Sequence, residues 1–387
     1  MMPKVNVNIQ PAIIRWALSQ TSAEDLGAKL MDNIKHWLDG TKSPTFHQIE
    51  NFSKKSHIPL GYFFLKTPPE EQIDLLEYRT VDSTELMNPS RDLIDTIHEM
   101  EVVQDWMVDY RKEWDYDVIS FVGSLKDVTD INEIADIIRN DLGLGVKWHK
   151  ECANSSEAFN KVRSLLEECG IIVMINGIVG KNTHRALDVN EFRAFAMVNE
   201  WAPLIFINGA DSAGGRLFSL FHEIVHLWIG ENDLYNDRRY SANVKPNEVI
   251  CNAVAGELIA PKAVFLERWN SNTNSDIHEK IKELARIFCC SGSVIARRAL
   301  VNNQIDQILY DQIIAEAIEA YNQAKQEKTS GGNYYRTMCS KLDSVFVRAL
   351  CESVNSGRTS FTEAYRLTNT TSKTFPEVAS RLGGVLW

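Results

Sequence analysis

The hydrophobic positions along the chain mostly recur with the spacing of amphipathic α-helices. The exceptions are short apolar runs, rich in β-branched residues and bounded by Gly, Pro or Asn, which predict buried strands. Helices are predicted at 130–142 and 155–169, and more helices follow the last strand. The predicted strands are Ile171–Ile175, Phe192–Val198 and Leu204–Ile207. The pattern therefore predicts an α+β fold that is mostly helical and contains a small sheet.

One predicted helix, over residues 217–229, is apolar on nearly every side and contains the sequence His222-Glu223-Ile224-Val225-His226. Such a helix is buried in a core, where polar side chains need partners. Histidines four residues apart lie one turn above each other on one helix face, so both imidazoles can reach one Zn²⁺ ion. Glu223 follows the first histidine and can act as a general base toward metal-bound water. The sequence therefore predicts a zinc site at His222 and His226, with Glu223 as the catalytic residue.

Capping residues mark both ends of this helix. Asp211 and Ser212 offer side-chain oxygens to its first backbone N–H groups, and Gly214-Gly215 follow as a turn. Gly230 is expected to end the helix in the left-handed conformation. The predicted helix therefore has about four turns.

A catalytic zinc ion usually has three protein ligands and one position left for water. The third ligand is expected from a second helix that starts near Pro246 and stops at Pro261. Two glutamates of this helix are candidates, Glu248 in the first turn and Glu257 deeper in the helix. If Glu248 is the ligand, Asn252 lies one turn later on the same face and is expected to support it by hydrogen bonding.

Three motifs are similar to those of a known family, at residues 191–208, 218–230 and 248–261. The last follows the pattern Glu-x-x-Cys/Ala-Asn-x-x-Ala-x-Glu-Leu-hydrophobic-x-Pro. On these motifs the chain resembles the ImmA/IrrE family of metallopeptidases, in the form with an N-terminal Xre-type helix-turn-helix, over roughly residues 5–310. The resemblance implies a zincin-like, gluzincin-type domain. Its zinc ligands fall on His222, His226 and Glu248, and its catalytic glutamate falls on Glu223.

The N-terminal segment shows the run of short helices that the resemblance implies. Between Met1 and Lys66 there are eight Lys or Arg against five Asp or Glu, so this segment is mildly basic in an acidic chain. Only Met31-Asp32-Asn33 separates the predicted helix that ends at Leu30 from the next one at Ile34–Trp37, so we expect a shortened recognition helix. Direct binding to operator DNA and a degenerate domain used for protein contact therefore both stay open.

The domain organisation is expected to comprise four regions. These are an Xre-like helix-turn-helix domain at 1–67, a helical connector at 68–126, a zincin-like metallopeptidase domain with a helical extension at 127–325, and a helical C-terminal region at 333–387. Residues 277–300 look like a second small helix-turn-helix, whose Arg297-Arg298 pair is expected in surface salt bridges, with phosphate contact as the alternative. The polar stretch Gln323–Asn333 is expected to be a linker.

Composition limits the class of protein. With 387 residues, 44% hydrophobic and 24% charged, the chain can bury a sizeable core and is expected to form two or three units. It has no apolar run of about 18 residues and no signal-peptide pattern, so we expect no membrane span. Seven scattered cysteines without a Cys-x-x-Cys pair indicate reduced thiols and a cytoplasmic location. The net charge of −11 argues against general coating of nucleic acid.

Two functions fit these features. The first is a zinc-dependent metalloendopeptidase that hydrolyses a peptide bond in a partner regulatory protein, such as a repressor. The alternative is an antitoxin or transcriptional regulator of a toxin-antitoxin module, which acts mainly by binding a cognate toxin, operator DNA or both. Glu223 favours the first, because a purely structural zinc site needs no base beside an open position. A homodimer, completed by the C-terminal region, is one expected assembly.

The group that stabilises the developing negative charge on a substrate carbonyl is not fixed by the sequence. Three residues in flanking loops are candidates, namely His184, Arg185 and Tyr240. For each of them a structural or surface role is the alternative.

Overall fold

Four short strands of the computed structural model form one mixed sheet, in the order β1-β3-β2-β4. The strands are β1 (Ile172–Asn176), β2 (Ala194–Met197), β3 (Leu204–Asn208) and β4 (Asp233–Tyr235). β1 runs parallel to β3, with Val173 opposite Ile205, whereas β2 pairs antiparallel with both β3 and β4. Every residue of the two central strands is buried, which explains their continuous apolar sequences. The predicted small sheet is confirmed, with a fourth strand that the sequence pattern did not reveal.

The structure describes residues 5–21, 23–69, 89–235, 246–326 and 333–386. These residues divide into two compact units, one with the described residues up to Ile97 and one with those from His98 onward. Among the described residues, no single helix is long and apolar enough to span a membrane, although Pro246–Ile259 and Lys262–Ser271 pass that test together, with a bend of 57° between them.

Short helices build the first unit around a core that includes Ile13, Phe52 and Phe63. The helices are α1 (Pro11–Ser19), α2 (Ala23–Leu26), α3 (Ala28–Leu38) and α4 (Phe46–Ser56), followed by a 3₁₀ turn at Leu60–Phe64. The Thr45 hydroxyl and the Gln48 side chain form a reciprocal capping box at the start of α4.

The predicted break at Met31-Asp32-Asn33 is wrong, because these residues lie inside the continuous helix α3. The chain breaks at Gly27, whose φ of 74° falls in the left-handed region that favours glycine. Leu30 and Ile34 lie on the buried side of α3 while Asp32 is exposed, so the polar residues mark a helix face and not a turn. Gly27 alone joins α2 to α3, whereas a helix-turn-helix has a turn of about three to four residues.

The long helix α5 (Arg91–Glu113) follows, and the remaining helices belong to the second unit. They are α6 (Ile131–Asp141), α7 (Ser155–Glu168), α8 (Ala213–Ile229), α9 (Pro246–Ile259), α10 (Lys262–Ser271), α11 (Ile277–Ile287), α12 (Gly292–Val301), α13 (Gln307–Gln326), α14 (Tyr334–Lys341), α15 (Ser344–Asn355), α16 (Phe361–Leu367) and α17 (Phe375–Arg381). The segment predicted as a linker from Gln323 begins inside α13, and residues 327–332 of it lie outside the described residues.

Helix α8 lies in the centre of the second unit, in contact with α7, α9 and strands β2, β3 and β4. The Ser212 hydroxyl accepts the Gly215 N–H at 3.0 Å and caps its start, as predicted. Gly230 ends it with a φ of 85°, and a Cβ there would lie 2.8 Å from the Gly123 Cα. This close approach lets the Gly123 N–H donate to the Leu227 carbonyl at 3.0 Å. Both ends of α8 are therefore fixed.

The C-terminal region packs against the sheet in the second unit. Asp343 accepts the Phe346 N–H at 2.7 Å, which caps α15, and accepts the Val173 N–H of β1 at 2.9 Å. Arg163 of α7 donates to the Val173 carbonyl at 2.9 Å. Side chains thus satisfy the backbone groups of Val173 at the outer edge of β1, where an exposed strand would otherwise attract another chain.

Candidate metal centre

The two histidines of the motif lie in the middle of α8, with 0% and 2% of the residue exposed for His222 and His226. Because they are one turn apart, their rings face the same side, and their Nε2 atoms lie 3.2 Å apart. The Tyr235 ring of β4 packs on the His222 ring, with the ring centres 4.0 Å apart. The helix interior and a neighbouring strand together fix the orientation of His222.

Glu248 reaches the same point from the first turn of α9, where its side chain is 20% exposed. Its Oε2 lies 3.3 Å from His222 Nε2, and its Oε1 lies 3.3 Å from His226 Nε2. Burial alone would raise the pKa of Glu248, but its hydrogen bonds with His222 and His226 outweigh burial and hold the pKa well below its ordinary value. Glu248 is therefore a carboxylate, which is the form that binds a metal cation.

These three side chains form what we call the donor triangle: His222 Nε2, His226 Nε2 and the Glu248 carboxylate. Donors of a tetrahedral zinc ion with bonds near 2.0–2.1 Å lie about 3.3 Å from one another. The observed separations of 3.2, 3.3 and 3.3 Å agree with that spacing. Within the described part of the chain, this is the one group of three or more His, Cys, Asp or Glu side chains close enough to hold a metal ion. The donor set therefore fits a divalent metal.

Glu223 follows His222 in α8, and none of its surface is exposed. The Glu223 side chain therefore lies in a low-dielectric environment, where a charge interacts more strongly than in water, and it directly follows a member of the donor triangle in the sequence. Its predicted catalytic role stays a prediction, because it concerns a reaction and not a position.

Glu257, the rival third ligand, lies elsewhere. Its Oε2 accepts a hydrogen bond from Arg298 Nη2 at 2.5 Å, and its Oε1 accepts one from the Lys262 backbone N–H at 2.9 Å. Arg139 donates to the Glu257 backbone carbonyl at 2.6 Å. Glu257 therefore joins α9 to α6 and α12, and the geometry leaves Glu248 as the glutamate that faces the histidines. The Arg298 ion pair is buried and not on the surface as predicted.

The other predicted site residues, Asn252, His184, Arg185 and Tyr240, are not members of the donor triangle. Asn252 is exposed on α9, and no hydrogen bond of its side chain is seen within the described residues, so its supporting role stays a prediction. His184 is exposed at the tip of the loop between β1 and β2, with Arg185 beside it. Tyr240 lies outside the described residues.

Sequence reasoning missed two features of the site. One is Tyr235, because the three-residue strand β4 gives almost no periodic signal. The other is a hydrogen-bonded pair, Glu231 and Asn247, that joins the end of α8 to the start of α9 at 2.8 Å. The only signal in the sequence was that Glu231 lies just after the helix with the histidines and that Asn247 directly precedes Glu248.

The comparisons with known proteins place this centre in a family context. Residues 166–300 match the family model of the IrrE N-terminal-like domain of the M78 peptidases. Residues 342–381 match the model of a domain of unknown function (DUF8813). Neither match covers residues 1–67, so the helix-turn-helix assignment there stays a prediction. No curated protein and no solved structure was found to match the chain. The donor triangle and Glu223 thus lie within a segment that matches a metallopeptidase-like domain of the ImmA/IrrE type.

Proposed function

We propose that this protein is a zinc-dependent metallopeptidase that cleaves a peptide bond in a partner regulatory protein. The observation that carries the proposal is the donor triangle, with Glu223 next to one of its histidines in a buried helix. Two imidazoles and one carboxylate are a donor set of catalytic zinc sites, which use three protein ligands and leave one position open. Structural zinc sites instead close the coordination shell with four protein ligands, mainly cysteines.

His222, His226 and Glu248 would hold the ion. When bound, zinc lowers the pKa of a coordinated water to about 7 and polarises the carbonyl group of a substrate. Tyr235 holds the His222 ring in place from one side. The two histidines lie in the interior of α8 and not at its ends, where helices fray. Their positions relative to each other are therefore fixed by the helix.

Glu223 would move the proton. As the water oxygen bonds to the carbonyl carbon, one water proton passes to the Glu223 carboxylate. The same proton then passes to the leaving amine nitrogen as the carbon–nitrogen bond breaks. The carboxylate is restored at the end of the cycle, so no other proton donor is required for the overall hydrolysis.

The partner is proposed to be a regulatory protein of the repressor kind. The match of residues 166–300 to the ImmA/IrrE type of domain supports this class of substrate. The product of the neighbouring gene is the first candidate to test, because regulators of this type and their targets are expected to be made together.

The test compares Glu223→Gln with the wild type and with Glu267→Gln, an exposed glutamate on α10 that serves as the matched control. We expect wild type and Glu267→Gln to bind about one zinc per chain and to cleave the candidate partner. Glu223→Gln should bind zinc equally and lose cleavage by at least about 100-fold, which is a typical contribution of general base catalysis. Regulation of the partner that survives Glu223→Gln unchanged would contradict proteolysis as the mechanism.

A further inference from the structure

Of the three residues in the donor triangle, Glu248 has the position that the surrounding structure holds least firmly. The histidines sit inside one buried helix, whereas Glu248 comes from the first turn of a different helix and is the most exposed of the three. First turns of helices fray, because their backbone N–H groups lack partners inside the helix. Correct placement of the carboxylate therefore needs a contact that ties the start of α9 to α8.

The rest of α9 is fixed at its other end. Arg139 donates to the Glu257 carbonyl at 2.6 Å, and Trp148 Nε1 donates to the Leu258 carbonyl at 3.0 Å. The Glu257–Arg298 ion pair adds a third attachment there. These contacts lie two to three turns away from Glu248, so they leave its own turn to be held by something else.

Glu231 and Asn247 supply that contact. The Asn247 Nδ2 lies 2.8 Å from both carboxylate oxygens of Glu231. A carboxylate can only accept hydrogen bonds, so the amide nitrogen must be the atom that faces it. Because the acceptor is charged, this hydrogen bond is stronger than one between neutral groups.

The contact between Glu231 and Asn247 links two of the metal-ligand residues, His226 and Glu248. The Glu231 N–H donates to the His226 carbonyl at 3.1 Å, next to the Gly230 N–H, which donates to the same oxygen at 2.8 Å. Asn247 is the residue directly before Glu248. His226 is thus connected through Glu231 and Asn247 to Glu248 by two hydrogen bonds and one peptide step.

We propose that Glu231 and Asn247 are a positioning pair, which holds the Glu248 carboxylate at the distance from His222 and His226 that a metal requires. The proposal rests on the donor triangle being the metal site of the proposed function. Neither side chain touches the metal or substrate in this role. Their effect is to shift metal affinity and coordination geometry, which a residue that serves only folding would leave unchanged.

The test measures Zn²⁺ affinity of the full chain by competition with a chromophoric chelator, and the visible absorption spectrum of the Co²⁺-loaded protein. The variants are Asn247→Ala and Glu231→Ala, with Asn270→Ala as the matched control, since Asn270 is an exposed asparagine on the next helix, α10. We expect each pair variant to raise the Kd for Zn²⁺ about 10-fold, as loss of supporting hydrogen bonds around metal ligands does, and to change the Co²⁺ spectrum. Asn270→Ala should change neither the Kd nor the spectrum.

A rescue variant separates positioning from stability. In Glu231→Gln/Asn247→Asp the amide and the carboxylate exchange places, so the hydrogen bond can form again with the same net charge. We expect this double variant to recover most of the lost Zn²⁺ affinity. A Kd for Asn247→Ala and Glu231→Ala within twofold of the Asn270→Ala value would overturn the positioning pair. Failure of the wild type to bind Zn²⁺ would instead overturn the proposed function on which the pair depends.

Discussion

Arg298 and Glu257 form an ion pair of 2.5 Å between α12 and α9, and both side chains are 10% exposed. Glu248 and Glu257 are about two and a half helical turns apart on α9, so their side chains lie on opposite faces of the helix. Glu257 pairs with Arg298 on one face, and Glu248 lies near the histidines on the other. One glutamate serves the structure of α9 and the other faces the donor triangle.

Removing one partner of this buried pair should destabilise the fold and leave metal binding intact. We expect Arg298→Met to lower the free energy of unfolding by about 3 kcal/mol, the lower end for a broken buried pair, because the buried Glu257 charge keeps only the more distant Arg139, at 3.9 Å, as a cationic partner. Urea unfolding measures the loss, and chelator competition measures the Kd for Zn²⁺ in the folded protein. Arg297→Met, at the neighbouring arginine, is the control and should lower the free energy of unfolding much less. A loss below about 1 kcal/mol for Arg298→Met would contradict the pair as a structural element.

Zinc itself should stabilise the folded protein, because the donor triangle exists only when α8 and α9 are packed together. A ligand present at about 100 times its Kd, and bound only by the folded state, adds about 2.7 kcal/mol. Differential scanning calorimetry of chelator-treated protein, with and without added Zn²⁺, measures this gain. Glu248→Gln should lose most of it, because a neutral amide is a poor zinc ligand, while Glu267→Gln should keep it. An equal gain in Glu248→Gln would place the metal elsewhere.

The sequence predicted most of the helix that carries the histidines, because its signals are local, but Gly214 and Gly215, predicted as a turn, lie inside the first turn of the helix. The capping hydroxyl of Ser212 and the left-handed Gly230 mark its ends in the sequence and in the structure. Asp211 was also expected at the cap, but its carboxylate pairs with Arg193 at 2.9 Å. Contacts of this kind depend on which elements meet in space, and that information is not local.

The same limit explains the other differences. The Glu231–Asn247 contact joins residues from separate elements, and no spacing rule connects them. The break in the N-terminal unit was placed at a polar triplet, although Gly27 offered the better signal through its conformational freedom. The sequence pattern alone does not distinguish Glu248 from Glu257 as the ligand, because both are acidic residues on one short helix; the family resemblance or the three-dimensional structure does.

His149 should make the protein less stable in acid. Its ring is buried against Phe288, with 4.8 Å between ring centres. Burial, followed by the charges of Lys150, Arg268 and Lys147, lowers the pKa of His149 below its ordinary value of 6.5. The neutral ring is therefore favoured in the folded state. Its contribution to stability is present above pH 6.5 and is lost as the pH falls through the lower pKa of the folded state.

The variant His149→Phe removes this titration and keeps a ring of similar size. We expect the difference in unfolding free energy between wild type and His149→Phe to shift in favour of the variant as the pH falls from 7.5 to 5. Urea unfolding at a series of pH values measures the difference. A difference that stays constant over this range would show that His149 does not titrate with folding.

Asp343 should make the protein less stable as the pH rises, which is the opposite of the effect of His149. Burial, and then the nearby Glu167 carboxylate, raise the pKa of Asp343 from 3.8 to about 6. A raised carboxyl pKa means that the folded state holds a proton which the unfolded state has released. Stability from this group is therefore complete below pH 3.8 and is lost as the pH rises through about 6. At about 1.4 kcal/mol per pKa unit, the loss between pH 4 and pH 7 is about 2 kcal/mol.

Asp343→Asn tests this, because the amide keeps the size of the side chain and cannot ionise. Its oxygen can still accept the Phe346 N–H and cap α15, but its amide nitrogen cannot accept the Val173 N–H. The variant should therefore be less stable at pH 4, and the gap to wild type should narrow toward pH 7. His149→Phe and Asp343→Asn change the pH profile with opposite sign, so each serves as a reference for the other. A gap for Asp343→Asn that widens between pH 4 and pH 7 would mean that Asp343 is favoured as a carboxylate in the folded protein.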